Sequence, residues 1–121
     1  MQGRRGLGGA ARRFSVGLKA RQRLTALAER NAGWVGVHIG FEETSARRMH
    51  AGSDFLLMPS RFEPCGLSQL YAERFSSLPI VHKTGGLIDT IRDGVTGFLF
   101  DKVSAQALGS AIRRAMLAFA R

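Results

Sequence analysis

The chain has 121 residues, 45% of them hydrophobic, and a formal net charge of +9. This length allows at most one domain with its own core. The single cysteine excludes a framework of internal disulfides, and no apolar run reaches the length that spans a membrane. We therefore expect a soluble chain from a reducing compartment.

The positive charge is concentrated near the N-terminus. Residues 1–23 contain seven of the eighteen Lys and Arg residues and none of the nine acidic ones, so the other eleven basic residues are nearly balanced. Three interpretations fit: an Arg-rich transit peptide, a basic tail that binds nucleic acid or anionic surfaces, or the truncated start of a longer reading frame. We favour the last, and predict a basic, disordered or truncated segment at 1–19 followed by a folded part at 20–121.

The first predicted elements alternate between helix and strand. A helix is expected from Lys19 to Asn31, because a narrow apolar stripe is followed by the terminating sequence Asn31-Ala32-Gly33. Trp34 to Ile39 alternates and contains β-branched residues, which predicts a strand. Glu42 to His50 is expected to form the next short helix.

The central stretch, from Asp54 to Leu87, predicts one crossover unit of a parallel sheet. Apolar runs at 55–58 and 79–82 predict two strands. Between them lies a helical pattern of apolar residues at three- and four-residue spacing: Leu67, Leu70, Tyr71 and Phe75. The loops at 59–66 and 83–86 then follow the carboxyl ends of the strands, where open parallel sheets bind their ligands.

The remaining chain continues this alternation. Leu87 to Arg92 predicts a short helix, 93–97 a turn, and Phe98 to Phe100 a strand. Ser104 is expected to cap a last helix, Ala105 to Phe119.

The last helix has a clear amphipathic pattern. Its predicted buried face consists of Leu108, Ile112, Ala115, Met116 and Phe119. The basic pair Arg113 and Arg114 is then expected to face solvent.

The loop at 59–66 has the composition of an anion site. A helix that starts near Gly66 leaves the backbone N–H groups of Gly66, Leu67 and Ser68 without helical partners, and such groups attract phosphate. Glu63 adds a carboxylate suited to sugar hydroxyls or to positive charge at an anomeric carbon. The alternative is that Glu63 caps the helix and Gly66 only turns the chain.

Two strings in this region resemble the signature of bacterial glycogen synthases and plant starch synthases: Ser60 to Tyr71 (SRFEPCGLSQLY) and Thr84 to Thr90 (TGGLIDT). The resemblance extends from about Leu24 to Arg121. It implies an α/β fold, a Rossmann-like parallel sheet with flanking helices, that forms part of the C-terminal domain of a GT-B glycosyltransferase. Enzymes of this family use ADP-glucose as donor.

The resemblance also implies roles for individual residues. Glu63 matches the first glutamate of the family's paired-glutamate pattern and is the expected catalytic residue, while Tyr71 stands where other GT-B enzymes have the second glutamate. Phe41 resembles the aromatic residue that stacks on adenine, or else it packs beneath the following helix. The other expected nucleotide-sugar-binding residues are Cys65, Gly66, Leu67, Ser68, Thr84, Gly85 and Gly86. Cys65 is expected to be a binding-loop residue and not a nucleophile.

The implied reaction is retaining transfer of glucose from ADP-glucose to the non-reducing end of an α-1,4-glucan. The expected partners are this donor, the glucan acceptor and the N-terminal domain of the same enzyme; no cofactor, metal or membrane is expected, and nucleic acid is not favoured. We expect His38 and His50 to be ordinary surface or partly buried residues, and His82 to be a core residue whose hydrogen bonds are satisfied. The location implied is the bacterial cytoplasm, or a plastid if the N-terminus is a transit peptide.

Two departures from the family affect the expected activity. Residues 1–19 do not reproduce the basic clamp on the diphosphate, and no N-terminal domain matches. We therefore expect little or no synthase activity from this chain alone. The alternatives are an inactive nucleotide-binding relic and a basic nucleic-acid-binding protein.

Overall fold

The computed structural model describes residues 19–120, so the predictions for the segment before residue 19 lie outside the described residues. The chain divides into two compact units, Met1–Phe41 and Glu42–Arg121. The boundary predicted between residues 19 and 20 stays a prediction.

The first unit contains helix α1 at 19–30, in agreement with the predicted helix. The strand predicted from Trp34 to Ile39 is wrong. The Trp34 and Val35 N–H groups both donate to Asn31 O at 3.0 Å, so the predicted strand begins as a turn. Residues 35–39 pair with no strand within the range 19–120. A strand needs a hydrogen-bonded neighbour, and the described part of this unit contains no other strand.

The second unit is built on three parallel strands in the order β1-β2-β3. These are β1 (Phe55–Met58), β2 (Leu78–His82) and β3 (Phe98–Phe100). The helices are α2 (Glu43–Gly52), α3 (Ser68–Arg74), α4 (Leu87–Thr90) and α5 (Ala105–Phe119). Leu57 pairs with Ile80, and Ile80 with Phe98. The predicted crossover unit is therefore confirmed.

Both faces of the sheet are covered, as parallel sheets require. Successive side chains of a strand point to opposite faces. Ile80 accordingly packs in one cluster with Phe98, Phe100, Ala111 and Ala115. Its neighbour Val81 packs in a second cluster with Leu87 and Ile91.

Helix α5 has the predicted bounds and the predicted cap, since Ser104 Oγ accepts a hydrogen bond from the Ala107 N–H at 3.1 Å. Its predicted buried face is only partly right. Ala115 is buried, but Met116 and Phe119 are 59% and 58% exposed. Ala111 lies in the core instead, because two small residues let the helix approach the sheet closely and leave the long side chains at the edge of the contact.

Arg113 and Arg114 are exposed, as predicted, but the sequence did not indicate the ion pair that Arg114 forms. Its Nη2 lies 2.9 and 2.8 Å from the two carboxylate oxygens of Asp93, and its guanidinium lies 5.6 Å from the centre of the Phe98 ring. Burial raises the pKa of Asp93, but the hydrogen bond from the Leu99 N–H and the Arg114 charge outweigh it and hold that pKa below its ordinary value. The pair thus links the 93–97 turn to α5.

Candidate functional site

The loops at 59–66 and 83–86 are in direct backbone contact at the carboxyl edge of the sheet. The Gly86 N–H donates to Glu63 O and Pro64 O, both at 3.0 Å. A Cβ on Gly85 would lie 2.0 Å from Glu63 O, and one on Gly86 would lie 2.7 Å from Pro64 O. Only glycine permits this approach. At residue 85 the φ of +48° also favours glycine. The first loop is therefore held against the second.

Glu63 does not cap helix α3, so the capping alternative is wrong. The N-cap position is Leu67, and no side chain makes a cap hydrogen bond there. Within residues 19–120 the Glu63 carboxylate makes no hydrogen bond or ion pair, and the residue is half-buried. The carboxylate therefore remains available to a ligand at the edge of the sheet.

The turn ahead of α3 presents its amide groups as the sequence predicts. Gly66 has a φ of +71°, a conformation that glycine adopts without strain. Leu67 and Ser68, which follow it, are exposed. In the described part of the chain, the backbone N–H groups of Gly66, Leu67 and Ser68 donate no hydrogen bond. Three donors thus lie close in sequence to the Glu63 carboxylate.

Gln69 is a feature of the site that sequence reasoning missed. Its side chain is completely buried, and Nε2 donates to Cys65 O and Gly66 O at 3.1 Å each. Nε2 also lies 3.3 Å from Thr90 Oγ1, which donates to Gly86 O at 3.1 Å. The apolar spacing of α3 favours Leu70 and Tyr71 as its inward residues. In the structure these two are about half exposed and Gln69 is the inward residue.

Of the remaining predicted residues, Tyr71 and Cys65 are exposed and Thr84 is half-buried. Tyr71 is 52% exposed, with its ring centre 6.5 Å from that of His50. The Cys65 thiol is exposed and forms no disulfide. Thr84 is half-buried, and its carbonyl accepts from the Leu87 N–H at 3.1 Å.

Phe41 belongs to the first unit, and its side chain is fully exposed. It does not have the buried environment that the packing alternative expected. An exposed ring is compatible with stacking on a base.

His82 joins the first loop to the end of β3. Its side chain is buried, with Nδ1 2.9 Å from Ser60 O and Nε2 3.2 Å from Asp101 O. The prediction of a satisfied core histidine is confirmed. Because both partners are carbonyl acceptors, a neutral ring donates to one of them and a doubly protonated ring to both.

No group of three His, Cys, Asp or Glu residues that could hold a metal is found among residues 19–120. The donors and acceptors of this edge are instead backbone amides, one carboxylate and a hydroxyl. This chemistry suits an anionic, hydroxyl-rich ligand better than a metal ion.

Comparison with known proteins identifies the class. The model of the family "Glycosyl transferases group 1" matches residues 16–118, so the chain belongs to this family. The catalytic domain of starch synthase IV from Arabidopsis thaliana, solved with ADP and acarbose bound, superposes with a TM-score of 0.75 at 30% identity. That match covers 81% of this chain and 22% of the other, and it confirms the predicted α/β, GT-B type of fold.

The most similar curated relatives include glycogen synthases. The chain is 64% identical over 99 residues to that of Pseudomonas fluorescens and 69% identical over 90 residues to that of Pseudomonas aeruginosa. These matches cover 82% and 74% of this chain but only 19% and 18% of the relatives. The resemblance to glycogen and starch synthases is confirmed, and the chain spans about a fifth of the relatives' length. None of the helices in the described range is long and apolar enough to cross a membrane.

Proposed function

We propose that this chain provides the donor-binding side of a glucan synthase site. In the complete enzyme the reaction is retaining transfer of glucose from ADP-glucose to the non-reducing end of an α-1,4-glucan. The observation that carries the proposal is the contact between the Glu63 loop and the Gly85-Gly86 loop, in a chain 64% identical to a glycogen synthase.

Glu63 is the proposed catalytic residue. When the bond between the anomeric carbon and the ADP oxygen breaks, the electron pair leaves with ADP and positive charge develops on the sugar. A carboxylate beside that carbon stabilises this charge. The carboxylate of Glu63 has no competing partner within residues 19–120, which supports this role.

The amide groups after Glu63 are proposed to bind the distal phosphate and the glucose hydroxyls. Backbone N–H groups without protein partners suit both ligands, since they donate to anionic and hydroxyl oxygens alike. We assign this function to Gly66, Leu67 and Ser68, with Cys65 as a neighbouring contact.

The other proposed binding residues are assigned by their match to the family's motifs. Thr84, Gly85 and Gly86 are proposed to form its second wall, and Tyr71 to border it from α3. Phe41 is proposed to stack on adenine, for which its exposed ring is suited. The starch synthase with bound ADP supports a nucleotide ligand for this fold.

By itself the chain is expected to have little or no synthase activity. Glucosyl transfer requires groups on both sides of the sugar to be held in place and water to be excluded. These 121 residues match only about a fifth of the glycogen synthases that resemble them. The bacterial sources of these relatives favour a cytoplasmic location over a plastid.

Calorimetry on the whole chain tests the proposal. ADP and ADP-glucose are expected to bind, and Glu63→Ala is expected to weaken ADP-glucose while leaving ADP nearly unchanged. Glu43→Ala serves as the matched control, because Glu43 is an exposed carboxylate on α2 that pairs with Arg47, one turn along the same helix. Its affinities should equal those of the parent chain.

Three results would contradict the proposal. A folded chain that binds neither ligand would lack a donor site of its own. Binding of RNA with a steep loss of affinity in salt, without binding of ADP-glucose, would favour the basic nucleic-acid-binding alternative. If Glu63→Ala lowered the affinities for ADP and ADP-glucose equally, Glu63 would not interact with the glucose.

A further inference from the structure

The side chain of Gln69 is fully buried, although it is polar. Its exposed fraction is 0%, whereas its apolar neighbours Leu70 and Tyr71 are 41% and 52% exposed. Burying an amide in place of an apolar side chain is unfavourable unless its hydrogen bonds compensate. Gln69 Oε1 is buried without any hydrogen-bond partner among the described residues. The hydrogen bonds of this buried amide are therefore those of its Nε2 group.

Nε2 holds two consecutive carbonyl groups of the first loop. It lies 3.1 Å from Cys65 O and 3.1 Å from Gly66 O. Because both are acceptors, they fix the side-chain amide with its NH2 group toward the loop. A Cβ on Gly66 would lie 2.5 Å from Gln69 Oε1, so the amide also fills the space that a side chain at Gly66 would need.

The planarity of the peptide bond carries this effect to the other side of the loop. In a trans peptide the C=O and N–H groups point in opposite directions. Cys65 C=O shares its peptide with the Gly66 N–H, and Gly66 C=O with the Leu67 N–H. With both carbonyls turned toward Gln69, both N–H groups are turned away from it. Neither donates a hydrogen bond within the described residues.

A second connection ties this arrangement to the other glycine loop. Nε2 lies 3.3 Å from Thr90 Oγ1, and that hydroxyl donates to Gly86 O at 3.1 Å. One buried side chain thus contacts the first loop directly and the second loop through Thr90.

We propose that Gln69 is a positioning residue that sets the directions of the Gly66 and Leu67 N–H groups toward the donor. This proposal rests on the proposed function of the same loop. Gln69 does not touch the donor. It orients the two N–H groups in advance, so that the loop does not have to reorganise when the distal phosphate or the glucose of ADP-glucose binds.

Nuclear magnetic resonance on the full chain tests the orientation without any ligand. Residual dipolar couplings report the directions of individual N–H bonds. Gln69→Met has similar length and no N–H donor, and it is expected to change the couplings of Gly66 and Leu67. Leu70→Met, on the half-exposed face of the same helix, is the matched control and should leave both couplings unchanged.

Ligand affinity tests the consequence for binding. Gln69→Met should weaken ADP-glucose about tenfold, which corresponds to the loss of one well-oriented hydrogen bond. AMP, which lacks the distal phosphate and the sugar, should bind the variant and the parent equally. An equal loss for AMP and ADP-glucose would indicate general damage to the fold and overturn the positioning role.

Three further outcomes are decisive. Unchanged couplings in Gln69→Met overturn the proposal, and so do changed couplings with unchanged ADP-glucose affinity. If the parent chain binds no ADP-glucose, the proposed function fails, while the couplings still decide whether Gln69 orients the two N–H groups.

A second pair of variants covers the case in which Gln69→Met does not fold. Thr90→Val removes the hydroxyl that joins Nε2 to Gly86 O, and should change the couplings and weaken ADP-glucose in the same direction. Thr90→Ser keeps the hydroxyl and should restore both. Parent-like behaviour of Thr90→Val would contradict the link between the two loops.

Discussion

Gly86→Ala should separate the two loops of the site. At a φ of −67° alanine adopts the backbone conformation of Gly86 without strain, so the effect is purely one of space. The new Cβ would lie 2.7 Å from Pro64 O, 2.8 Å from Cys65 Cα and 2.9 Å from Cys65 O. All three are backbone atoms, which no side-chain rotation can move away.

The cost follows from the size of the displacement. Ordinary contacts begin at 3.4 Å, so the 64–65 segment has to retreat by about 0.7 Å. Such a shift stretches the two 3.0 Å hydrogen bonds of the Gly86 N–H toward the limit of hydrogen bonding. Overpacking costs about 1–3 kcal/mol and a weakened hydrogen bond about 0.5–1.5 kcal/mol. We expect the free energy of unfolding to fall by about 2–4 kcal/mol.

Urea unfolding followed by circular dichroism measures this change. Gly109→Ala is the matched control, because Gly109 lies in α5 with no atom within 4 Å of an added Cβ. That variant should gain about 0.5–1 kcal/mol from the helix propensity of alanine. If Gly86→Ala unfolded within about 0.5 kcal/mol of the parent, the two loops could not be as closely packed as the structure has them.

Three smaller predictions concern the frame that supports the site. Asp93→Asn keeps an oxygen for the Leu99 N–H but loses the ion pair with Arg114, and should cost about 0.5–1 kcal/mol at pH 7, since both side chains are nearly half exposed. Because the folded-state pKa of Asp93 is lowered, the stability that the pair contributes is present above the unfolded-state pKa and is lost as the pH falls through the folded-state pKa. In urea titrations the difference in unfolding free energy between parent and variant should therefore shrink below about pH 4. A difference that does not change with pH would contradict the pair. Ser104→Ala removes the cap of α5 and should lower the free energy of unfolding by about 1 kcal/mol, whereas Ser110→Ala, inside the same helix, should not lower it. His82→Leu leaves Ser60 O and Asp101 O without their ring partner and should lower the free energy of unfolding by about 1–3 kcal/mol; an unchanged urea unfolding curve would mean that His82 does not hold the loop.

Much of the second unit could be predicted because its signals are local. The apolar run at 55–58 is bounded by Pro59, and it forms β1 with the predicted limits. Ser104 caps α5 through a hydrogen bond to a residue three positions along the chain. The two glycine loops follow consecutive parallel strands, and their meeting at one edge of the sheet follows from that topology.

The failures share a different property, which is dependence on residues far along the chain. The alternating pattern at 34–39 favours a strand, but a strand also requires a neighbour with which to pair. Arg114 is exposed as predicted, but its ion pair could not be foreseen, because the partner Asp93 lies twenty-one positions earlier. Apolar spacing alone could not show that Gln69 is the inward residue of α3, because its partner Thr90 belongs to another element.

The sequence by itself determined the α/β class, the family, the limits of most elements in the second unit and the identity of the glycine loops. These depend on local periodicity, caps and turn residues, which act within a few positions of the chain. Only the tertiary structure decided how closely the loops pack, that Glu63 is not a cap, and that Gln69 holds the carbonyl groups behind the site. Such contacts depend on distances between elements, which no spacing along the chain specifies.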